Sequence, residues 1–235
     1  MLIHSDLSKD AVVKYRDAVW RPSPLKGVDR LMLERIGGEK VQRATSLVTY
    51  QPGSRFSEHV HDGGEEFLVL DGVFSDTTGD FGPGTYVRNP VGSRHAPWSE
   101  PGTTIFVKLA QFDPADQAVV RLDTDKAAWL TGPAPGIDIL PLHQFGSERI
   151  QLVRLAPQTT LPTLADPGGT EIFIIRGDAQ VTPGGQMETK DWLRMPPGTA
   201  VAIASTGGAT LYMKTGHLPV EQTITLDGET HENTF

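Results

Sequence analysis

Short apolar runs, none long enough to span a bilayer, recur along the chain between strong turn signals. In the N-terminal half they cover residues 41–50, 55–60, 66–71, 84–88 and 103–112, punctuated by Pro52-Gly53, Asp71-Gly72, Gly79-Asp80 and Gly82-Pro83-Gly84. Strands at this spacing, joined by Gly-rich turns, predict a β-sandwich or small barrel. Residues 7–19 are expected to form a short helix or a leading strand. No run approaches the roughly 18 apolar residues of a transmembrane helix.

The pattern is written twice. Trp20 and Gly27, in WRPSPLKGVD, return as Trp129 and Gly136 in WLTGPAPGID, an offset of 109. The run PGSRFSEHVHDGGEEFLVLDG from Pro52 to Gly72 aligns without a gap to PQTTLPTLADPGGTEIFIIRG from Pro157 to Gly177, an offset of 105. Asn89-Pro90-Val91-Gly92 likewise matches Met195-Pro196-Pro197-Gly198. Such self-similarity predicts two copies of one supersecondary unit. The polar segment 114–126 is the natural boundary, giving domains at 1–120 and 121–235.

Composition supports an all-β chain and narrows its chemistry. The 235 residues include 25 Gly and 18 Pro with 38% hydrophobic residues, a mix favouring short strands and tight turns. Lys plus Arg number 21 against 29 Asp plus Glu, a net charge of −8 with no long run of one sign. That argues against nucleic-acid and membrane partners. Cysteine is absent, which excludes disulfides, thiolate nucleophiles and Cys-based metal sites. The N-terminus has neither a basic nor an apolar targeting region, so a cytoplasmic protein is expected.

Any metal must therefore be held by nitrogen and oxygen. In an extended strand His59 and His61 point the same way, and Glu65 keeps that parity after the Gly63-Gly64 turn. Phe67 and Val69 continue it as apolar residues, as a barrel interior behind a polar mouth requires. Glu66 has the opposite parity. A second cluster, Gly84, Pro90, Gly92 and His95, shapes a turn able to present a third imidazole. His59, His61, Glu65 and His95 are thus the candidate metal ligands. Three imidazoles and a carboxylate suit one divalent transition metal, Zn, Fe, Mn, Ni or Cu.

The spacings Gly53-x5-His59-x-His61-x3-Glu65-x6-Gly72 and Gly84-x5-Pro90-x-Gly92-x2-His95 resemble the two signature motifs of the cupin superfamily, with Ser99 where the second often ends in Asn. The resemblance implies an all-β chain of two tandem cupin jelly-roll barrels. More narrowly, Trp20-x-Pro22-Ser23-Pro24, the run His61 to Leu70, Tyr86 to Pro90 and Val107-Lys108-Leu109 resemble the cupin domain of ChrR-type anti-sigma factors. In that family the cupin follows a helical zinc-binding domain with His and Cys ligands; with the cupin starting almost at residue 1 and no Cys, no sigma-factor partner is expected. Single cupins often dimerise, so two fused barrels fit a monomer or a homodimer.

The second copy replaces every proposed ligand. His59 becomes Leu164, His61 becomes Asp166, Glu65 becomes Thr170 and His95 becomes Val201, whereas the turn residues Gly169, Gly177, Pro196 and Gly198 persist. The C-terminal domain is read as a degenerate cupin without metal ligands, serving as a structural unit or an apolar pocket.

Three further residues are substrate-binding candidates. Arg55 either meets an anionic substrate or pairs with Asp62 or Glu66, and Tyr86 and Trp98 either wall a pocket or belong to the core. His4, His143, His217 and His231 lack flanking Gly frames and are expected at the solvent surface. Two functional readings stay open. One is a metal-dependent dioxygenase acting on a small enol, diketone or phenol, with Glu65 as fourth ligand or catalytic base. The other is a zinc-binding regulatory or stress-sensing cupin without catalysis.

Overall fold

Alternation of apolar and polar positions, broken by glycine turns, folds into strands throughout. The computed structural model describes residues 1–38, 40–219, 222–226 and 229–233. The chain divides into two compact units, one of Met1–Ser5 with Ala18–Ala127 and one of Asp6–Asp17 with Ala128 onward.

The first unit is built on an eight-stranded antiparallel sheet. Its order is Leu2–Ile3, Val28–Gly37, Val41–Tyr50, Thr103–Leu109, Glu65–Gly72, Thr85–Asn89 and Val120–Asp123, with Arg21–Pro22 added on Val28–Gly37. A smaller sheet runs Gly79–Phe81, Phe74–Asp76, Trp98–Ser99 and Ser54–Arg55, and His59–His61 pairs separately with Ser93–His95. Val48, Phe67, Val69, Val87, Ile105 and Val107 from the large sheet close against Phe74 and Phe81 from the small one, forming the apolar filling of a barrel.

The opposite face of the large sheet carries a buried polar network. Glu66 accepts from Tyr86 Oη at 2.6 Å and from Arg88 Nη1 at 2.8 Å, and Arg88 Nη2 reaches Asp116 at 2.6 Å. Glu66 and Arg88 are each 1% exposed. A buried charge persists only when paired and hydrogen-bonded.

The second unit repeats this plan. Its main sheet runs Leu130–Thr131, Ile137–Phe145, Glu148–Leu155, Ala209–Thr215, Thr170–Thr182, Trp192–Met195 and Ala11–Val13, and Thr159–Leu164 pairs with Val201–Ser205. Residues 7–19 thus supply a strand to the second unit, followed by a 3-10 turn at Tyr15–Asp17. The buried pairing recurs: Glu171 stands opposite Arg194 as Glu66 stands opposite Arg88, and Trp192 Nε1 donates to Glu171 at 2.7 Å. The interior is packed with aliphatic and methionine side chains, among them Ile172, Ile174, Met187, Leu193, Met195 and Ile203.

Candidate metal centre

Two short strands bring the imidazoles together. His59–His61 pairs antiparallel with Ser93–His95, setting His95 directly opposite His59 and Ser93 opposite His61. The chain then turns through Gly63-Gly64 into the strand that begins at Glu65. Gly64 has φ +77°, and a Cβ there would lie 2.4 Å from the Phe112 ring, so this turn requires glycine. It carries Glu65 back toward the two imidazoles it has just passed.

Among the described residues, His59, His61 and His95 place their ligand nitrogens within 4.8 Å of one another. The three ring centroids are 4.8–5.0 Å apart. His61 Nε2 and His95 Nε2 are separated by 3.0 Å, and Glu65 Oε2 lies 3.4 Å from the former and 3.7 Å from the latter. Two neutral imidazoles facing lone pair to lone pair repel unless a proton or cation lies between them. Donors held at about 2.0–2.1 Å from one ion stand roughly 3 Å apart, so this donor set fits a single first-row cation.

The ring tautomers are set from outside. His59 Nδ1 lies 3.1 Å from the Ser57 carbonyl, and His95 Nδ1 lies 3.1 Å from Asp76 Oδ2. Each contact holds the proton on Nδ1 and leaves Nε2 as the electron-pair donor, the arrangement that orients metal-binding histidines. Glu65 is anchored by Asn89 Nδ2 at 3.0 Å, and Asn89 Oδ1 accepts from Arg121 Nη2 at 2.6 Å.

These surroundings pull the imidazoles apart in basicity. Burial lowers the pKa of His61. Burial acts the same way on His95, but the Asp76 hydrogen bond and the Glu65 and Asp76 charges outweigh it and raise the pKa. Burial also opposes ionisation of Asp76, yet hydrogen bonds from His95 and Thr78 bring its carboxyl down to about 2. The centre therefore holds fixed negative charge next to imidazole nitrogens, an environment that attracts a cation.

His59, His61 and Glu65 open onto a cavity of about 420 Å³ whose walls include Val28, Val48, Tyr50, Val107 and Leu109. The other residues singled out in the sequence lie elsewhere. Arg55 pairs with Glu100, not with Asp62 or Glu66, and its guanidinium lies over Trp98 on the neighbouring strand at 5.9 Å. Tyr86 is fully buried on the opposite face of the large sheet, donating to Glu66. The structure thus brings His59, His61, His95 and Glu65 together and does not bring Arg55, Trp98 or Tyr86 to the wall of this cavity.

His4 is exposed and reaches the Leu33 carbonyl, and His143 is half-buried. His217 departs from the expected surface position: its side chain is 1% exposed and its Nε2 lies 3.1 Å from Glu171. It follows a strand whose partners already bury Glu171, and an imidazole is the side chain at hand to meet that carboxylate. The side chain of His231 lies outside the described residues. Asp76, Asn89, Arg121 and Tyr50 escaped the sequence reading because they stand on separate strands with no shared motif.

The equivalent position in the second unit holds no such donors. Leu164 stands opposite Val201, and Thr170 replaces Glu65. Asp166 Oδ1 accepts the Gly168 amide at 2.8 Å and so shapes its own turn.

The description of the ChrR Cupin-like domain family matches residues 8–113 and again residues 117–219. A search of curated proteins gave no match. Among solved structures, a dioxygenase candidate from Nostoc punctiforme PCC 73102 is similar with a TM-score of 0.72 and 14% identity, over 97% of this chain and 87% of that one. The pirin YhhW of Escherichia coli, solved with nickel(II), is similar at 0.65 and 14% identity, over 90% of this chain and 99% of that one. A mutant of oxalate decarboxylase OxdC from Bacillus subtilis is similar at 0.57 and 14% identity, over 88% and 76%. At these identities the likeness shows a shared fold.

Proposed function

The chain belongs to the ChrR Cupin-like family as a two-cupin protein, and from that premise we propose that its N-terminal barrel is a metal-dependent active site of the dioxygenase type. His59, His61 and His95, with Glu65, would hold one divalent transition ion, and the substrate is a small enol, diketone or phenol. The observation that carries this reading is the cavity: His59, His61 and Glu65 of the donor set lie at its wall with apolar side chains around them. A purely structural ion needs no such chamber, because a closed site spends all its positions on protein ligands.

A bound ion supplies Lewis acidity and a fixed point of attachment for a substrate oxygen. The chain's own residues do the rest. Asp76 fixes the ring of His95, and Asn89 fixes the carboxylate of Glu65. Glu65 is either the fourth ligand or, swung free of the ion, the base that accepts a proton from an enolisable substrate lying in the cavity. The valine and leucine walls lower the local dielectric on the inner side of the cavity and strengthen the electrostatic contacts made there.

Anaerobic reconstitution with Fe(II), followed by an oxygen-electrode screen of diketones and phenols, tests the reading. Uptake that depends on substrate and is lost in His61→Ala is the expected result; no uptake above that variant counts against it. Family membership also favours a regulatory zinc site in the same residues. Protein that purifies with stoichiometric zinc and shows no turnover after iron loading would support that second reading. A cytoplasmic location is part of the proposal, and among the described residues no helix is long and apolar enough to cross a membrane.

A further inference from the structure

The cavity that reaches the donor set has a cationic side. In the register of the large sheet Val28 stands opposite Tyr50 and Arg30 stands opposite Val48. Directly opposed residues share a face, and Val48 belongs to the apolar filling of the barrel. Arg30 is therefore carried on the inward face, and its side chain lines the same cavity as His59, His61 and Glu65. Lys40, exposed, joins it on that lining.

The lining carboxylates are Asp62, which is exposed, and Glu65, which belongs to the donor set. With a divalent ion bound, the ion and Lys40 alone outweigh these two acids, whatever Arg30 is bonded to within the chain. A cavity with net positive charge and low-dielectric walls concentrates anions. Tyr50, its ring clamped edge-on by Phe56 and Phe74 with centroids 5.2 and 5.8 Å away, adds a hydroxyl-bearing side chain to the same lining.

We propose that this cavity recognises a small carboxylic acid with an apolar body, its carboxylate held by Arg30 with Lys40 alongside, and a second oxygen meeting the Tyr50 hydroxyl. The guanidinium fork matches a carboxylate in a way the ammonium of Lys40 does not, so Arg30 is the anchor. Val28, Val48, Val107 and Leu109 contact the apolar body. The volume of about 420 Å³ accommodates one small molecule. The proposal rests on the metal reading for the charge balance and for what the far end of the ligand meets, and it narrows the substrate to an anion.

Isothermal titration of the zinc-loaded full chain with 3-(4-hydroxyphenyl)propanoate and with its neutral amide provides the test. The acid is expected to bind about ten-fold more tightly, the range of one charge-assisted contact. Arg30→Gln removes that preference and leaves both amide binding and zinc stoichiometry unchanged. Arg30→Lys, which keeps the charge and loses the fork, lowers acid affinity several-fold without touching the amide. Tyr50→Phe weakens both ligands. Equal binding of acid and amide to the unmodified chain overturns the proposal. A preference that survives Arg30→Gln does so too, since the ion would then be the anchor. Zinc uptake is measured first, and the titration is repeated on metal-free protein. A chain that takes no zinc but shows an Arg30-dependent acid preference upholds this inference while the metal reading fails. One that binds zinc without the preference does the reverse.

Discussion

Leu164 stands directly opposite Val201 in the second unit, in the strand pair that places His59 opposite His95 in the first. The backbone register survives while the ligand atoms are gone, and neither an aliphatic side chain nor the buried Thr170 replaces an imidazole or a carboxylate. Elemental analysis of the purified chain is therefore expected to give one ion per chain and not two. His61→Ala or His95→Ala brings that value close to zero, whereas Asp166→Ala leaves it at one. Two ions per chain, or an ion retained after both histidine substitutions, would place the metal elsewhere.

Asp76 acts on the centre through His95. Its carboxylate holds the ring 3.1 Å away with the proton on Nδ1, and removing such an outer partner typically lowers metal affinity about 10–100-fold. Asp76→Asn is expected to show that loss in a chelator competition titration while the far-UV circular dichroism stays that of the unmodified chain. An unchanged affinity would mean that the barrel alone orients His95.

How far the sequence disclosed this centre depends on what local pattern can encode. Strand parity and the Gly63-Gly64 turn grouped His59, His61 and Glu65, and the second Gly frame singled out His95, which the structure sets opposite His59 on a separate strand. The offset of the repeat equally located their replacements, and the strand registers of the second unit agree with it residue for residue at Leu164 and Val201. Asp76, Asn89, Arg30 and Tyr50 were not legible. Each comes from a different strand, and their convergence follows from sheet order, which a single sequence does not display. His217 was misplaced for the same reason: its partner Glu171 is 46 residues away on another strand.

The opposed shifts of His95 and Asp76 define a pH window in the metal-free protein. Asp76 falls from the usual 3.8 to about 2, so its contribution to stability is present above 3.8 and is lost as pH falls through the folded value. His95 is raised above the ordinary 6.5, so its contribution is complete below 6.5 and is lost as pH rises through the folded value. The stability difference between the unmodified chain and Asp76→Asn is thus expected to be largest between about pH 4 and 6.5, shrinking on either side. Denaturant unfolding across pH 2–9 checks it; a flat difference rules out the ion pair.

Metal binding runs the other way, since a protonated imidazole cannot ligate. Occupancy is expected to fall as pH drops through the imidazole range near 6.5. The raised pKa of His95 starts this proton competition at higher pH than an ordinary histidine would. Dialysis at stepped pH followed by elemental analysis follows the loss. Full occupancy at pH 4 would contradict a centre built on histidines.

Gly64 and Gly169 separate the turn from its cargo. Both have positive φ, +77° and +78°, and a Cβ would lie 2.4 Å from the Phe112 ring in one case and 2.5 Å from Leu218 in the other. Left-handed strain together with overpacking costs about 2–4 kcal/mol for an alanine at either site. Only Gly64→Ala also displaces Glu65 relative to His61, so it is expected to lose metal affinity, whereas Gly169→Ala loses stability alone.

Glu66 offers the complementary separation, stability without chemistry. It lies one residue from Glu65 but on the other face of the sheet, 1% exposed, bonded to Tyr86 and Arg88. Glu66→Ala leaves the buried Arg88 with Asp116 as its remaining carboxylate partner among these contacts and frees the Tyr86 hydroxyl, which is expected to cost about 3–5 kcal/mol in urea unfolding. Glu66→Gln, which keeps an acceptor for both donors, costs less. In variants that remain folded the ion count stays at one, because neither Tyr86 nor Arg88 touches the donor set. Loss of metal in a folded Glu66→Gln protein would show that the two faces of this sheet are coupled, and would move Glu66 from the scaffold into the centre itself.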